Sequence, residues 1–457
     1  MTAFVPRSTL DDVIWPAIVG GKHATYLSLL FQMEQSQWWS EEELVSAQLE
    51  QLSVLLQHAV TTVPYYKKCY GEIPFDFSGR LTMNEWRRLP ILTRDDLQKA
   101  GNSLNSRAVP KQHGKLNRQH SSGSTGKPVS IKQTEVCGIF WRAFTLRETL
   151  WHRRDMRGKM ATIRHNTDDS KIIPRGSRVG NWGRIFAALY NTGPGVLMHS
   201  SVPVADQAAW LLREQPDYLL AYPSVLHELA RYFIKNRLEL PSLKEARTFG
   251  ETLDDETREF CRQAWGTTVV DAYSSQEIGN MAFQCPGHEH YHIQSEGVLL
   301  EILDDDGNPC RPGETGRVIV SVLHNFATPL IRYAVGDYAE VGEPCDCGRG
   351  LPVIKRILGR TRNMATLPDG SKFWPGLRMG GFEKIIPISQ FQLVQRSLEH
   401  IEVRLVTDVE VTPEQELAMS GHVRKRFDFA SKVTFTYLDE IPRSATDKYE
   451  DFLSEVQ

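Results

Sequence analysis

The residues best suited to chemistry in this chain form one short segment that is rich in hydroxyl groups and glycine. Its members are Ser121, Ser122, Gly123, Ser124, Thr125, Gly126 and Lys127. Glycine lets the backbone turn its amide groups toward an anion, the hydroxyls add hydrogen-bond donors, and the lysine supplies a positive charge. The segment is therefore suited to binding a polyphosphate, although a flexible surface turn has a similar composition.

The spacing within this segment differs from that of a Walker A loop. A Walker A loop has a longer spacer between its first glycine and its Gly-Lys pair, whereas only two residues separate Gly123 from Gly126. Pro128 follows Lys127, and a proline disfavours the helical conformation in the residue before it. The segment is thus predicted to join two strands and not to open a helix.

Cysteine and histidine side chains form a second group, with the composition of a metal site. Cys345 and Cys347 are separated by one residue, and Cys285 lies upstream with His288 and His292 close behind it. Three thiolates and one imidazole make a closed tetrahedral set, which structural Zn²⁺ prefers. We expect Cys285, His292, Cys345 and Cys347 to hold zinc. His288 is the rival imidazole, and free thiols are the alternative.

Composition is typical of a globular protein with more than one domain. The chain has 457 residues, of which 41% are hydrophobic and 24% charged, and a net charge of −3. It has no basic run, so we expect no nucleic-acid partner. It has no apolar window of about 20 residues, so we expect no membrane span. An odd number of cysteines without a signal peptide predicts a cytoplasmic protein with reduced thiols.

Local signals predict helices on both sides of the hydroxyl-rich segment. Ser40 with Glu43 forms a capping box, and Thr93 with Asp96 caps a shorter helix. A further helix is expected over residues 134–153, where aromatic residues recur at helical spacing.

Strands and helices alternate after residue 216 in the way that a parallel sheet requires. Strands are predicted at 218–221, 247–251 and 267–271, and helices at 224–237 and 254–265. Ligands of such sheets bind outside the carboxyl ends of the strands. Gly250-Glu251 and residues 273–277 fall at such ends.

The rest of the chain is rich in strands and changes character near Gly359-Arg360. Antiparallel strands are predicted at 298–303 and 316–323, and a small β-β-α-β unit at 390–438. We place domains at 1–358 and 359–457. The predicted fold is therefore α/β, with a large N-terminal domain of mixed or parallel sheets, flanking helices and a β-rich subdomain. A small α+β C-terminal domain follows.

The polar motifs stand in an order that resembles the adenylate-forming superfamily. After the hydroxyl-rich segment come Gly250-Glu251, Tyr273-Ser274-Ser275-Gln276-Glu277, Gly336-Asp337, Gly359-Arg360 and a lysine near the end, Lys448. Tyr222-Pro223-Ser224 and Ile331-Arg332-Tyr333 are similar to motifs of the phenylacetate–CoA ligase and CapK-like branch. The resemblance extends over most of the chain from about residue 40.

The resemblance implies a role for each motif. Residues 121–127 would cradle the β- and γ-phosphates of ATP, and Asp337 would accept hydrogen bonds from the ribose hydroxyls. Adenine would be framed by Gly250, Glu251, Ala272, Tyr273, Ser274 and Ser275. The catalytic residues would be Glu277, which holds Mg²⁺, Arg360, which reaches phosphate or ribose, and Lys448 on a mobile C-terminal domain. That lysine would neutralise charge as the carboxylate attacks the α-phosphate.

The implied activity is ATP-dependent conversion of a carboxylic acid to an acyl-adenylate, with release of pyrophosphate. The acyl group would then pass to a thiol, of coenzyme A or of phosphopantetheine on a carrier protein; an amine is the alternative acceptor. Phe140, Trp141, Tyr222 and Pro223 predict a pocket for an aryl or otherwise bulky acid.

Three departures from the superfamily pattern favour a different reading. Ser274 replaces a glycine, Gln276 replaces a threonine, and Asp447 stands where a glycine usually precedes the lysine. A carboxylate beside Lys448 would offset part of its charge. The alternative function is therefore that of a non-catalytic, nucleotide-binding homologue.

Overall fold

A twelve-stranded sheet forms the centre of the larger of two units, Met1–Ile357 and Leu358–Gln457. The computed structural model describes residues 6–70, 81–120, 129–165, 173, 175–360, 363–375, 380–441 and 451–456. The hydroxyl-rich segment 121–127 and Lys448 lie outside the described residues, so their predicted roles stay predictions.

The helices of the larger unit include those that the capping signals predicted. They are α1 Gly21–Ser36, α2 Glu41–Thr62, α3 Pro64–Tyr70, α4 Met83–Arg87, α5 Arg94–Ala100, α6 Glu135–Trp151, α7 Arg184–Leu189, α8 Val204–Glu214, α9 Pro223–Lys235 and α10 Asp255–Trp265, with 3₁₀ turns at Gly101–Leu104 and Lys111–His113. The capping box before α2 is confirmed, because Ser40 N donates to the Glu43 carboxylate at 2.8 Å and Glu43 N donates back to Ser40 Oγ. Such reciprocal bonds satisfy donors that a helix start leaves open.

The strands of the larger unit run from an N-terminal hairpin to the start of the smaller unit. They are β1 Asn117–His120, β2 Ser130–Gln133, β3 Met160–Arg164, β4 Ser177–Val179, β5 Gly195–His199, β6 Tyr218–Ala221, β7 Glu245–Phe249, β8 Thr268–Ser275, β9 Gly279–Gln284, β10 Tyr291–Ile293, β11 Val298–Leu303, β12 Thr315–Val322, β13 Tyr333–Val341 and β14 Val353–Arg360. β1 and β2 pair antiparallel, His120 opposite Ser130, so the hydroxyl-rich segment joins two strands as predicted.

The predicted parallel strands pair with one another in the middle of the twelve-stranded sheet. Its order is β11-β12-β13-β14-β10-β9-β8-β7-β6-β3-β5-β4, and β5, β3, β6, β7 and β8 run parallel. β8 continues to Ser275, beyond its predicted end at 271, because residues 272–275 also pair with β9. The β-rich segment continues this same sheet. The carboxyl ends of β6, β7 and β8 therefore meet at one edge.

The smaller unit is an α+β domain with its own core. It contains β15 Ala365–Thr366, β16 Lys372–Phe373, α11 Gly380–Glu383, β17 Gln390–Ser397, β18 His400–Val406, α12 Pro413–Arg426, β19 Lys432–Tyr437 and β20 Phe452–Ser454. The predicted β-β-α-β order is confirmed, and β20 adds a parallel partner to β17. Leu393, Val403, Phe427 and Phe452 lie in its buried core.

None of the described helices combines the length and the apolar character that are needed to cross a lipid bilayer.

A buried group of charges anchors the carboxyl end of α6 to the sheet. Glu148 is 0% exposed, and its carboxylate accepts hydrogen bonds from Arg154 at 2.6 and 2.7 Å. Arg247, on β7, lies 3.1 Å from the same carboxylate. Burial alone would raise the pKa of Glu148, but the two guanidinium groups bring it down to about 2. The ionised form is therefore part of the folded structure.

Replacing Glu148→Gln should strongly destabilise the larger unit, because it removes the carboxylate that Arg154 and Arg247 share and leaves Arg154 paired with Glu245 alone. We expect the free energy of unfolding, measured by denaturant titration at neutral pH, to fall by about 3–5 kcal/mol. The native pKa is depressed, so this contribution is present above the ordinary value of 4.5 and is lost as the pH falls toward about 2. The difference between the two proteins should shrink over that interval.

Glu239→Gln is the matched control, because Glu239 is exposed between α9 and β7. It should unfold like the unchanged protein. Equal unfolding midpoints for Glu148→Gln and Glu239→Gln would contradict the role given to the buried charges.

Candidate active site

Two residues predicted to bind a nucleotide meet although they come from separate parts of the sheet. Tyr273, near the end of β8, donates a hydrogen bond from its hydroxyl to Asp337 Oδ2 at 2.7 Å. Asp337 lies on β13, which is separated from β8 by three other strands. The two side chains are 8% and 9% exposed. The structure therefore brings the predicted adenine and ribose contacts together at one place.

Glu277 follows β8 directly and is buried, with 4% of its surface exposed. Within the described part of the chain its carboxylate has no hydrogen-bond or ion-pair partner. A buried carboxylate without a partner is costly, and a bound cation removes that cost. Carboxylate oxygen is the ligand that Mg²⁺ prefers. The position fits the predicted magnesium ligand.

Gly250 and Glu251 follow β7 at the same edge. Gly250 has φ of +78°, which favours glycine. Glu251 Oε2 accepts a hydrogen bond from the backbone N–H of Ser224 at 3.1 Å, in the first turn of α9, where a negative charge is favourable. Beside them, the ring of Tyr222 packs on Phe249 with centroids 4.8 Å apart. Tyr222, which is predicted to contact the acid, therefore lies beside Gly250 and Glu251.

Gln133 joins the strand after the hydroxyl-rich segment to the turn that carries Glu277. Its amide Nε2 donates to the carbonyl oxygens of Gln276 at 3.3 Å and Glu277 at 3.1 Å. The sequence analysis missed this residue, because the contact spans 144 positions of the chain. The available signal was its place on the same face of the strand as Ile131, which is buried.

A cavity of about 260 Å³ lies beside this turn. It is lined by parts of β1, β2, α6 and β9 and by the segments around 297 and 322, namely Asn117, Gln119, Gln133, Thr134, Cys137, Gly138, Phe140, Trp141, Arg142, Phe144, Gln276, Ile278, Gly279, Asn280, Gly297, Val298, Val322 and His324. Phe140 and Trp141, two of the residues predicted to contact the substrate, are in this lining. Tyr222 and Pro223, the other two, lie between the end of β6 and the start of α9 and are not in it.

One wall of the cavity is a stack of two rings. Phe140 lies against His324 with centroids 3.8 Å apart and planes 11° apart. His324 Nε2 lies 2.9 Å from the carbonyl oxygen of Glu296. Burial lowers the pKa of His324 to about 4, so the imidazole is neutral at physiological pH. This wall is therefore rigid and uncharged.

The four side chains predicted to bind zinc lie together. The ligand atoms of Cys285, His292, Cys345 and Cys347 are all within 4.8 Å of one another. Cys285 Sγ is 3.9 Å from Cys345 Sγ, and Cys347 Sγ is 3.4 Å from His292 Nε2. A tetrahedron with ordinary zinc–sulfur bonds has edges of about 3.8 Å. The geometry therefore fits a four-coordinate metal with no open position.

Groups around this cluster orient the imidazole and favour the thiolate of Cys347, whereas burial raises the pKa of Cys285 and Cys345. His292 Nδ1 lies 3.4 Å from the carbonyl oxygen of Leu351, which leaves Nε2 facing the thiols. Burial would raise the pKa of Cys347, but hydrogen bonds from Arg349 bring it below its usual range. His288 instead lies 2.7 Å from the carboxylate of Asp346, outside the four-residue set.

The remaining predicted residues are placed as follows. Ala272, Ser274 and Ser275 are on β8, where it pairs with β9. Arg360 ends β14 and belongs to the smaller unit. Residues 121–127 and Lys448, as noted, fall outside the described ranges.

Comparison with known proteins finds two family models that match the chain. Residues 82–327, more than half of the chain, match the family model of AMP-binding enzymes, and residues 380–454 match the CapK C-terminal domain. Phenylacetate-coenzyme A ligase of Thermus thermophilus is 27% identical, over 71% of this chain and 72% of that protein. Its Escherichia coli counterpart is 25% identical, over 89% and 93%.

A solved structure shares the fold. 2-Hydroxyisobutyryl-CoA ligase, in its postadenylation state with R3-HIB-AMP, superimposes with a TM-score of 0.71 at 17% identity, over 92% of each chain.

Proposed function

The chain belongs to the AMP-binding enzyme family and is an AMP-forming ligase of the phenylacetate–CoA ligase and CapK-like branch. From this we propose that it uses ATP to activate an aryl or other bulky carboxylic acid. The observation that carries the proposal is the hydrogen bond from Tyr273 to Asp337 at the carboxyl edge of the sheet. It supports a nucleotide position beside Glu277, next to a cavity of suitable size for the acid.

The reaction has two balanced steps. A carboxylate oxygen of the acid attacks the α-phosphorus of ATP, and the bond from that phosphorus to the bridging oxygen of the β-phosphate breaks. Pyrophosphate leaves, and the acid is held as an acyl-adenylate. In the second step a thiol sulfur attacks the acyl carbon, the thiol proton is lost, and AMP leaves. The thiol is that of coenzyme A, or alternatively of a carrier protein's phosphopantetheine arm.

The chain's own residues bind and orient the nucleotide. Asp337, fixed by Tyr273, accepts hydrogen bonds from the ribose hydroxyls. Residues 121–127 surround the β- and γ-phosphates, and Gly250, Glu251 and residues 272–275 frame adenine. Gln133 fixes the position of the turn at Glu277 relative to β2, the strand that follows residues 121–127. Precise placement of this kind accelerates phosphoryl transfer.

Positive charge is needed where the pyrophosphate forms. Glu277 would hold Mg²⁺, whose charge balances the triphosphate. Lys448 and Arg360, in the smaller unit, would stabilise the charge that develops on the α-phosphate during attack. Asp447 beside Lys448 moderates that contribution, so the adenylation step is expected to be slower than in relatives with glycine there.

The cysteine cluster is proposed to hold a structural Zn²⁺. The distances among the four ligand atoms support it. The ion would tie the turn at 345–347 to β10 and leave the chemistry to the other residues.

Replacing Tyr273→Phe should weaken nucleotide binding, because Asp337 loses the group that orients it. With an acid that the protein activates, found by screening aromatic, amino and fatty acids for pyrophosphate release, we expect the KM for ATP to rise about 10-fold. Tyr338→Phe is the matched control on β13: its hydroxyl faces Asp305 at 3.4 Å. The proposal fails if both variants behave like the unchanged protein.

Replacing Lys448→Ala should abolish acyl-adenylate formation while ATP binding is kept. Hydroxamate trapping measures the first, and equilibrium binding of ATP measures the second. Full adenylation by this variant would remove Lys448 from the mechanism. Absence of pyrophosphate with every acid, in the unchanged protein, would favour the non-catalytic alternative.

Replacing Cys347→Ser should reduce zinc, measured by elemental analysis, from about one ion per chain to near zero, and should lower the melting temperature. Cys69→Ser, at an exposed cysteine outside the cluster, is the control and should keep the metal. If Cys347→Ser lost its zinc but melted at the same temperature as Cys69→Ser, a structural role for the metal would be contradicted.

A further inference from the structure

Among the described residues that line the cavity beside Glu277, a single side chain is charged at neutral pH. Of the residues that line it, Arg142 alone carries a full charge, since His324 is neutral. Among the residues that the structure describes, Arg142 has no hydrogen-bond or ion-pair partner. The cavity has no acidic residue in its described lining. Its electrostatic character is therefore that of a site for an anion.

Three other polar side chains of the lining are already used within the protein. Gln133 donates to the Gln276 and Glu277 carbonyls, and Asn280 Nδ2 donates to the carbonyl of Trp141 at 3.2 Å. His324 is paired with the carbonyl of Glu296. These bonds hold the walls in place. The amides of Asn117, Gln119 and Gln276 also have no hydrogen-bond partner among the described residues, and Arg142 differs from them because it is charged.

A glycine inside α6 makes room for the guanidinium group. Gly138 lies one turn before Arg142, and a Cβ atom at Gly138 would be 3.2 Å from Arg142 Nη1. Glycine in the middle of a helix reduces stability relative to alanine. The less stable residue therefore stands at a position where a Cβ atom would come close to the Arg142 guanidinium. The guanidinium is thus seated against the helix, over Gly138.

Helix geometry gives the distance between Gly138 and the end of the cavity that lies nearest to Glu277. Gln133 and Thr134 mark that end, since Gln133 is bonded to Gln276 beside Glu277. Gly138 is four residues farther along the chain, which corresponds to about 6 Å along the helix axis. One aromatic ring spans such a distance. Phe140, Trp141 and Phe144 supply apolar surface for it.

We propose that Arg142 binds a second anionic group of the acid, so that the preferred substrate is a compact ring acid with an anionic substituent opposite the activated carboxylate. This inference rests on the proposed function and names its substrate class. Arginine is suited to the task, because its planar fork of donors matches a carboxylate or a phosphate. Arg142 would be a specificity-determining residue.

Three matched acids test the proposal: phenylacetate, 4-carboxyphenylacetate and the neutral isostere 4-carbamoylphenylacetate. Pyrophosphate release should give a kcat/KM for the dianion at least about 10-fold above that for the carbamoyl compound. Arg142→Gln should remove this preference and Arg142→Lys should keep part of it. Arg311→Gln, at an exposed arginine outside the cavity lining, should behave like the unchanged protein.

Gly138→Ala distinguishes an effect on the position of Arg142 from an effect on the stability of the protein. Alanine favours the helix, so the melting temperature should stay equal or rise, while the added methyl group displaces the guanidinium and the preference for the dianion falls. If Gly138→Ala preferred the dianion over the carbamoyl compound as strongly as the unchanged protein does, the role given to Gly138 in positioning Arg142 would be contradicted.

Two results would overturn the inference. Equal kcat/KM for the dianion and the carbamoyl compound in the unchanged protein would exclude a second anion site. An equal loss for all three acids in Arg142→Gln would mean that Arg142 holds the reacting carboxylate instead.

Calorimetric binding of 4-carboxyphenylacetate to the same proteins distinguishes failure of the inference from failure of the proposed function. If no acid releases pyrophosphate, the proposed function fails. Weaker binding to Arg142→Gln than to Arg311→Gln would still support the anion site, and equal binding would contradict it.

Discussion

The hydrogen bond from Tyr273 to Asp337 connects two halves of one sheet, and the rest of the site is arranged around that connection. Parallel pairing brings the ends of β6, β7 and β8 to one edge. The antiparallel strands continue the same sheet and bring Asp337 to that edge. Both side chains are buried, so each needs its partner. Where the tyrosine and the aspartate meet, the predicted contacts for adenine and ribose come together, and Glu277 follows the end of β8.

Local signals predicted much of this architecture because they act within a few residues. The capping boxes at Ser40 and Thr93 form as expected, since a side chain there satisfies backbone donors three residues away. Alternating strands and helices predicted parallel pairing, and motif order predicted the family. The cysteine and histidine residues also lie together, as the zinc site predicted from their residue types requires.

Contacts between distant segments could not be predicted from spacing. Gln133 bonds to the turn at Glu277 across 144 positions, and no local pattern marks such a pair. The buried charges at Glu148 and Arg154 look like ordinary surface residues of a helix end until their burial is known. Tyr222 is predicted to contact the acid, but its packing on Phe249 at the end of β6 could not be predicted from the sequence. Residue type alone does not determine the face on which a side chain lies.

The most direct measurement is a crystal structure with Mg²⁺ and a non-hydrolysable ATP analogue. The account predicts that the ribose hydroxyls lie within hydrogen-bond distance of Asp337 and that Mg²⁺ is coordinated by Glu277. It also predicts that the triphosphate contacts residues 121–127. A nucleotide bound away from the edge formed by β6, β7 and β8, or one that leaves Glu277 without a cation, would contradict it.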